Sequence, residues 1–331
     1  MTLRHPASRT VHVAPMMAWT DRHCRYLLRL MSPSVGLFTE MITTGALLFG
    51  RRTHLLDFHP GEHPVAVQLG GNNPDDLAAA ARMCATRGYD EVNLNVGCPS
   101  ERVQDGEIGA CLMAKPTLVA DCIRAMRSAV NVEVTVKCRL GIDHFDSDDF
   151  LDTFVGTVAE AGCETFYVHA RMALLKGLSP AQNRSIPPLR HDRVRALKGR
   201  FPHLRIVLNG GITNVDSVCS SLDGLEGVMI GRAAYHNPLL LTAIHQELHD
   251  SDFCMDAFTA FVSFAAYMRK EVQAGTPLKA MTRHVLGLFN GRPGARLYRQ
   301  VLSDSRRLSR NDLSILDEAL AVLDRDLKPA A

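Results

Sequence analysis

The chain has 331 residues, 46% of them hydrophobic and 22% charged, and a formal net charge of +2. This is the composition of a soluble globular protein, long enough for one large domain or a large one with a small companion. The total charge does not point to nucleic acid, and nine scattered cysteines without a CxxC pair exclude a zinc framework or a disulfide scaffold. Reduced thiols fit a cytoplasmic protein. Met1–Thr10 has no apolar leader, and no run approaches the roughly 18 apolar residues of a membrane span.

Short apolar runs rich in branched residues recur along the chain, bounded by Gly, Pro or Asn. They predict eight strands, at Val11–Met16, Leu37–Met41, Val65–Leu69, Glu91–Val96, Val132–Arg139, Thr165–His169, Arg205–Asn209 and Gly227–Gly231. Helix-like stretches follow the third to seventh strands: Pro74–Thr86, Thr117–Val130, Ser147–Glu160, Asp192–Lys198 and Asn214–Leu222. Near-continuous apolar strands are those of a parallel sheet covered on both faces. Eight of them with crossover helices match a TIM (β/α)8 barrel. A doubly wound sheet would open with a glycine fingerprint, whereas the first strand runs into Ala14-Pro15-Met16-Met17. Beyond Leu239 the strand signal stops. Asp256–Gln273, Leu278–Phe289, Ala295–Leu302 and Asp312–Asp326 read as helices. The expected division is a barrel over residues 1–240 and a helical domain over residues 245–331.

In such a barrel the chemistry sits at the C-terminal ends of the strands. Six of these ends carry polar residues: Gln68; Asn93, Asn95 and Cys98; Lys137 and Arg139; His169 and Arg171; Asn209-Gly210-Gly211; and Gly231-Arg232. The last two clusters have the glycine-rich composition of a phosphate cradle after strands seven and eight. Taken singly they are tight turns. Lys137 interrupts an apolar strand, as a Schiff-base lysine or as a cation beside an electron-rich cofactor ring. His169 is either a core histidine or a second contact to that ring. Cys98 ends the fourth strand in a Gly-Cys-Pro turn. A thiol with pKa near ~8.5 is mostly protonated at neutral pH and able to act as an acid. Cys24, Cys84, Cys122 and Cys163 read as inert core residues.

Local charge departs from the total. Lys279, Arg283, Arg292, Arg296, Arg299, Arg306, Arg307 and Arg310 fall in one stretch against a single Asp304. Arg292, Arg296 and Arg299 have helical spacing, so they are expected to share a face. A solvated basic helix is the plain reading. With Arg184 near the barrel mouth, a phosphate-binding face is the functional one.

These residues carry a resemblance. Ala14–Met17, Glu91–Ser100, Val134–Arg139, Tyr167–Arg171 and Leu208–Ile212 resemble the tRNA-dihydrouridine synthases over nearly the whole chain. Lys176–Pro180, Asn183-Arg184, Ile186–Leu189, Leu286–Phe289 and Pro293–Arg296 are similar to its A-type subfamily. The resemblance implies an FMN-binding barrel, a C-terminal helical tRNA-binding domain, NADPH as reductant and D-loop uridines at tRNA positions 20 and 20a as substrate. It implies that Pro15, Met16, Met17, Gln68, Lys137, His169, Asn209, Gly210, Gly211, Gly231 and Arg232 hold FMN, and that Cys98 is the proton donor. Asn95 is expected at the uracil edge and Arg139 at the uracil oxygens. Arg184, Arg292, Arg296 and Arg299 are expected to hold the tRNA. The stretch between Gly97 and Gly109 reads as a lid over a flipped-out base. Three rival readings are a flavin barrel acting on a free small molecule, a Schiff-base aldolase and a non-catalytic RNA-binding module.

Overall fold

A computed structural model describes residues 10–327 of the chain, so the segment read for a leader lies almost wholly outside the described residues. The strands are β1 (Thr10–Val13), β2 (Leu37–Thr43), β3 (Val65–Gly70), β4 (Glu91–Val96), β5 (Glu133–Arg139), β6 (Thr165–His169), β7 (Arg205–Asn209) and β8 (Gly227–Ile230). All pairings are parallel, in the order β1-β8-β7-β6-β5-β4-β3-β2. The ring closes where β1 meets the residue before β2: Val13 N–H donates to Gly36 O at 2.8 Å and Gly36 N–H to Val11 O at 2.9 Å. A side chain at Gly36 would collide with the His12 ring, so glycine permits the closure. The result is the expected (β/α)8 barrel.

The first strand is shorter than expected. Ala14 N–H makes the last ladder bond, to Ile230 O at 2.8 Å. Pro15 then has no N–H to continue the ladder. The chain turns, with Met16 O accepting from the N–H groups of Trp19 and Thr20, both at 3.0 Å.

Alternation explains the strand sequences. Val92, Leu94, Val96, Val134, Val136, Phe166, Val168, Ile206, Leu208, Val228 and Ile230 are fully buried. They lie on the outer face, toward the helices. The intervening positions face the lumen, where Ala14, Phe38, Ala66, Tyr167, Val207 and Met229 form a packed layer. Beside that layer runs a polar line: Gln68 on β3, Asn93 and Asn95 on β4, Thr135 and Lys137 on β5. Helices begin with caps. Asn73 Oδ1 accepts from Asp76 N–H ahead of Pro74–Arg87, and Gly88 ends that helix at φ +102.

A second compact unit gathers Asp21–Ser34 with the chain from Arg232 onward; the first comprises residues 10–20 and Val35–Gly231. The division expected near residue 240 thus omits the helix Arg22–Met31, which lies between β1 and β2 in sequence and packs with the C-terminal helices. Asp21 Oδ1 caps it, accepting from His23 and Cys24 N–H. Asp21 Oδ2 is bonded to Arg283 and His284. His23 Nδ1 lies 2.7 Å from Tyr267 Oη, and Tyr26 stacks on Tyr267 with centroids 4.1 Å apart. Helices also span Leu239–Leu248, Ala257–Gln273, Lys279–Val285, Ala295–Leu302, Ser305–Ser309 and Ser314–Leu327. Their core holds Phe261, Phe289 and Tyr298 in edge-on contact at 4.9–6.4 Å. Among the described residues no helix is long and apolar enough to cross a membrane.

Candidate active site

Strand register sets the levels of the barrel mouth. Asn95 is paired with Lys137, Arg139 with His169, and His169 with Asn209. Lys137 Nζ donates to Asn209 Oδ1 at 3.0 Å, and Asn209 Nδ2 to Met229 O at 2.8 Å. No carboxylate pairs with Lys137 among the described residues. Burial, with the Arg139 charge nearby, pushes its ammonium down to about 8. It remains mostly cationic at neutral pH, though less favourably than in water. His169 is held well below the usual histidine range by burial and then by Arg139 and Lys137, so it is neutral. A neutral imidazole and a poorly compensated cation at one mouth fit an electron-rich ring.

Asn209 runs into Gly210 and Gly211 at φ +112 and +75, conformations that favour glycine. A Cβ on Gly210 would stand 2.8 Å from His169, and one on Gly211 2.5 Å from Leu189. His191 Nε2 lies 2.8 Å from Gly210 O and fixes the turn from outside. Gly231 follows β8, and open space lies where its side chain would be. These turns leave backbone accessible to a phosphate. Arg232 opens the helix Arg232–His236 of the second unit. Pro15 and Met16 are half-buried in the turn after β1, and Met17 is 62% exposed.

Cys98 is half-buried on a turn built by β4. Asn95 Oδ1 accepts from Gly97 N–H at 3.1 Å and Cys98 N–H at 3.0 Å, and Asn95 Nδ2 donates to Gln68 Oε1 at 2.7 Å. The amide oxygen of Asn95, the residue expected at the uracil edge, is thus engaged by the Cys98 turn and one of its N–H groups by Gln68. Arg139 is anchored as well. Its Nε donates to Gly97 O at 2.8 Å, and its Nη1 to Met172 O and Asn183 O, each at 3.0 Å. Three carbonyls hold the guanidinium in place, and only Nη2 has no partner among the described residues.

The expected lid is tied down. Gln104 Nε2 donates to Pro99 O and Leu175 O at 2.9 and 2.8 Å, and Ala110 N–H to Cys98 O at 2.9 Å. Gly109 lies at φ +78, where a Cβ would be 2.5 Å from Cys98 O. Asn183, given no role of its own in the sequence reading, supports these loops. Fully buried Asn183 accepts from Leu174 N–H and donates to Leu174 O, both at 2.8 Å. Its only sequence signal was membership of the Asn183-Arg184 motif.

The basic stretch is less uniform than its sequence. Arg283 pairs with Asp21, and Arg307 with Asp312 and Glu318. Arg292 precedes the helix Ala295–Leu302 and sits over the Phe289 ring at 6.0 Å, so it does not share a helical face with Arg296 and Arg299. Arg296 is exposed, and half-buried Arg299 donates to Asn290 Oδ1 at 3.0 Å. Arg184 is exposed in the loop after β6.

Comparison with known proteins agrees with this geometry. The family model described as "Dihydrouridine synthase (Dus)" matches residues 12–324. A tRNA-dihydrouridine(20/20a) synthase of Pseudomonas putida is 52% identical over 97% of this chain and 96% of its own. Its counterpart in Escherichia coli K12 is 50% identical over 94% of this chain and 90% of its own. A 2-naphthoyl-CoA reductase bound to 2-naphthoyl-CoA shares the fold, with a TM-score of 0.56 at 10% identity over 72% of this chain; the match spans half of that reductase. The chain belongs to the dihydrouridine synthase family, flavin-dependent oxidoreductases that reduce uridines of tRNA to dihydrouridine.

Proposed function

We propose that this cytoplasmic enzyme reduces the C5–C6 double bond of D-loop uridines, at tRNA positions 20 and 20a, using FMN recycled by NADPH. The observation that carries the reading is the pairing at one barrel mouth of poorly compensated Lys137 with Cys98 on the turn held by Asn95. Pro15, Met16, Met17, Gln68, Lys137, His169, Asn209, Gly210, Gly211 and Gly231, with its chain neighbour Arg232, would hold FMN. When bound, FMN would supply the hydride chemistry for C6 of the uracil. Lys137 holds negative charge at the ring, and neutral His169 hydrogen-bonds without adding a second cation. Cys98 delivers the proton to C5 from its thiol and is reprotonated from solvent. The net change consumes uridine, NADPH and one proton and yields dihydrouridine and NADP⁺. Arg139 is a strap for the mouth, with Nη2 toward the uracil oxygens. Arg184, Arg292, Arg296 and Arg299 hold tRNA phosphates.

The test uses tRNA lacking dihydrouridine. The enzyme should convert it with NADPH and leave free uridine unchanged. Cys98→Ala should retain FMN and NADPH oxidation while dihydrouridine formation falls at least ~100-fold, the scale of general acid catalysis. Full synthesis by that variant removes the acid role. Mapping the product to tRNA positions other than 20 and 20a removes the assigned substrate.

A further inference from the structure

The Cys98 turn is the upper end of a hydrogen-bonded line that descends through the barrel lumen. Cys98 N–H donates to Asn95 Oδ1, Asn95 Nδ2 to Gln68 Oε1, and Gln68 Nε2 to Asn93 Oδ1 at 2.8 Å. Asn93 Nδ2 donates to Thr135 Oγ1 at 2.7 Å, and Thr135 donates to Glu91 Oε1. Tyr167 Oη donates to the other carboxylate oxygen of Glu91 at 3.0 Å. Gln68, Asn93 and Thr135 are at most 1% exposed, so water does not offer them an alternative.

The direction of the line is forced. A backbone N–H only donates, so Asn95 must turn its oxygen to the Cys98 turn and its NH₂ group to Gln68. Each amide below must then accept from above and donate downward. Thr135 Oγ1 accepts from Asn93, which leaves its proton for an acceptor at the floor of the barrel. Glu91 is that acceptor. Without one, Thr135 has either an unsatisfied buried donor or two donors facing each other, and the conflict passes upward through fixed amides.

We propose that Glu91 is a positioning residue for the Cys98 turn, acting through Thr135, Asn93, Gln68 and Asn95. It touches neither substrate nor cofactor. Its oxygen sets the orientation of the Gln68 and Asn95 amides, and so holds the two N–H groups that aim Cys98. Its effect on turnover rests on the function proposed above; its effect on the turn does not.

The experiment measures amide hydrogen exchange at Gly97 and Cys98 in the full-length holoenzyme near pH 8, scored against Leu208 on β7 in the same protein. Glu91→Leu removes the acceptor, and Thr135→Val breaks the line one step higher. Either should speed exchange at the turn by about fivefold relative to Leu208, the scale of one lost hydrogen bond. Glu91→Gln keeps an oxygen for Thr135 and should exchange as the wild type does, as should Thr135→Ser. Glu91→Leu and Thr135→Val should also lower dihydrouridine formation at least about fivefold. Should Glu91→Leu not fold, the Thr135→Val and Thr135→Ser pair carries the test. The proposal is overturned by turn amides that stay slow in Thr135→Val or by acceleration shared equally with Leu208. It is equally overturned by a Glu91→Gln protein as fast as Glu91→Leu, or by faster exchange with unchanged dihydrouridine formation. A wild type that makes no dihydrouridine, yet shows the exchange pattern, refutes the function and leaves the line intact.

Discussion

Lys137→Met should stabilise the cofactor-stripped protein while impairing the enzyme. The ammonium is pushed from its ordinary 10.5 to about 8, chiefly by burial. That drop corresponds to roughly 3 kcal/mol against the charged form. Methionine occupies similar space without the charge, but leaves Asn209 Oδ1 without the Lys137 donor, at about 1–2 kcal/mol. The net expectation at pH 7 is a gain of roughly 1–2 kcal/mol in urea unfolding. The pH dependence identifies the cause. Below pH 8 both folded and unfolded wild type carry the proton, so the penalty is constant. Between about 8 and 10.5 the unfolded chain holds a proton that the folded one has lost, so wild-type stability rises with pH. The advantage of the variant should therefore shrink across that window, pass through zero inside it and become a deficit of about 1–2 kcal/mol above it, where only the lost Asn209 bond remains. With FMN restored, hydride transfer to tRNA should slow sharply. A variant less stable than wild type at pH 7, or a gap insensitive to pH, would refute the argument from burial.

Other expectations concern different parts of the molecule. Gly109→Ala places a Cβ at φ +78, 2.5 Å from Cys98 O, and should lose roughly 2–4 kcal/mol by urea unfolding. Burial lowers His12 and His23 to about 4 and holds His169 well below the usual histidine range, so these residues stay neutral in the fold while the unfolded chain takes up protons below about 6.5. Stability should fall as pH drops from 6.5 toward 4, by about 1.4 kcal/mol per pH unit for each histidine. Glu91, raised to about 7 by burial, opposes this between 7 and 4.5; melting temperatures across pH 7 to 5 measure the balance. Arg296→Glu with Arg299→Glu should weaken tRNA binding and reduce the slope of log Kd against log salt by about one per lost phosphate contact. An unchanged slope would remove these arginines from the interface.

The strands were readable because a parallel barrel imposes a local signal. Outer-face residues are apolar at every second position, and β4, β6 and β7 have the bounds expected from sequence. Lys137, His169 and Asn209 stood out for the same reason, as polar residues at strand ends. Alternation along β4 puts Glu91, Asn93 and Asn95 on one face, but the near-continuous apolar runs did not single out Glu91. Side-chain bonding was not readable: that Asn95 caps a turn depends on where Gly97 and Cys98 N–H point. Charge pairing was equally hidden, since Arg283 finds Asp21 across 262 positions of sequence. The helix Arg22–Met31 shows an apolar face, but no local pattern says which partner covers it.

That helix bears on synthesis and engineering alike. Leu27, Leu28 and Met31 emerge from the ribosome some two hundred residues before Thr242, Tyr267 and His284, which meet this segment in the finished unit. For most of translation its apolar face has no mate, so a nascent chain halted after β8 is a natural client for a chaperone. The same threading governs chimeras. Exchanging the helical unit between relatives by one cut near residue 231 would marry a foreign bundle to the resident helix, with Asp21 facing residues it did not evolve beside. A faithful graft needs cuts on both sides of Asp21–Ser34 as well.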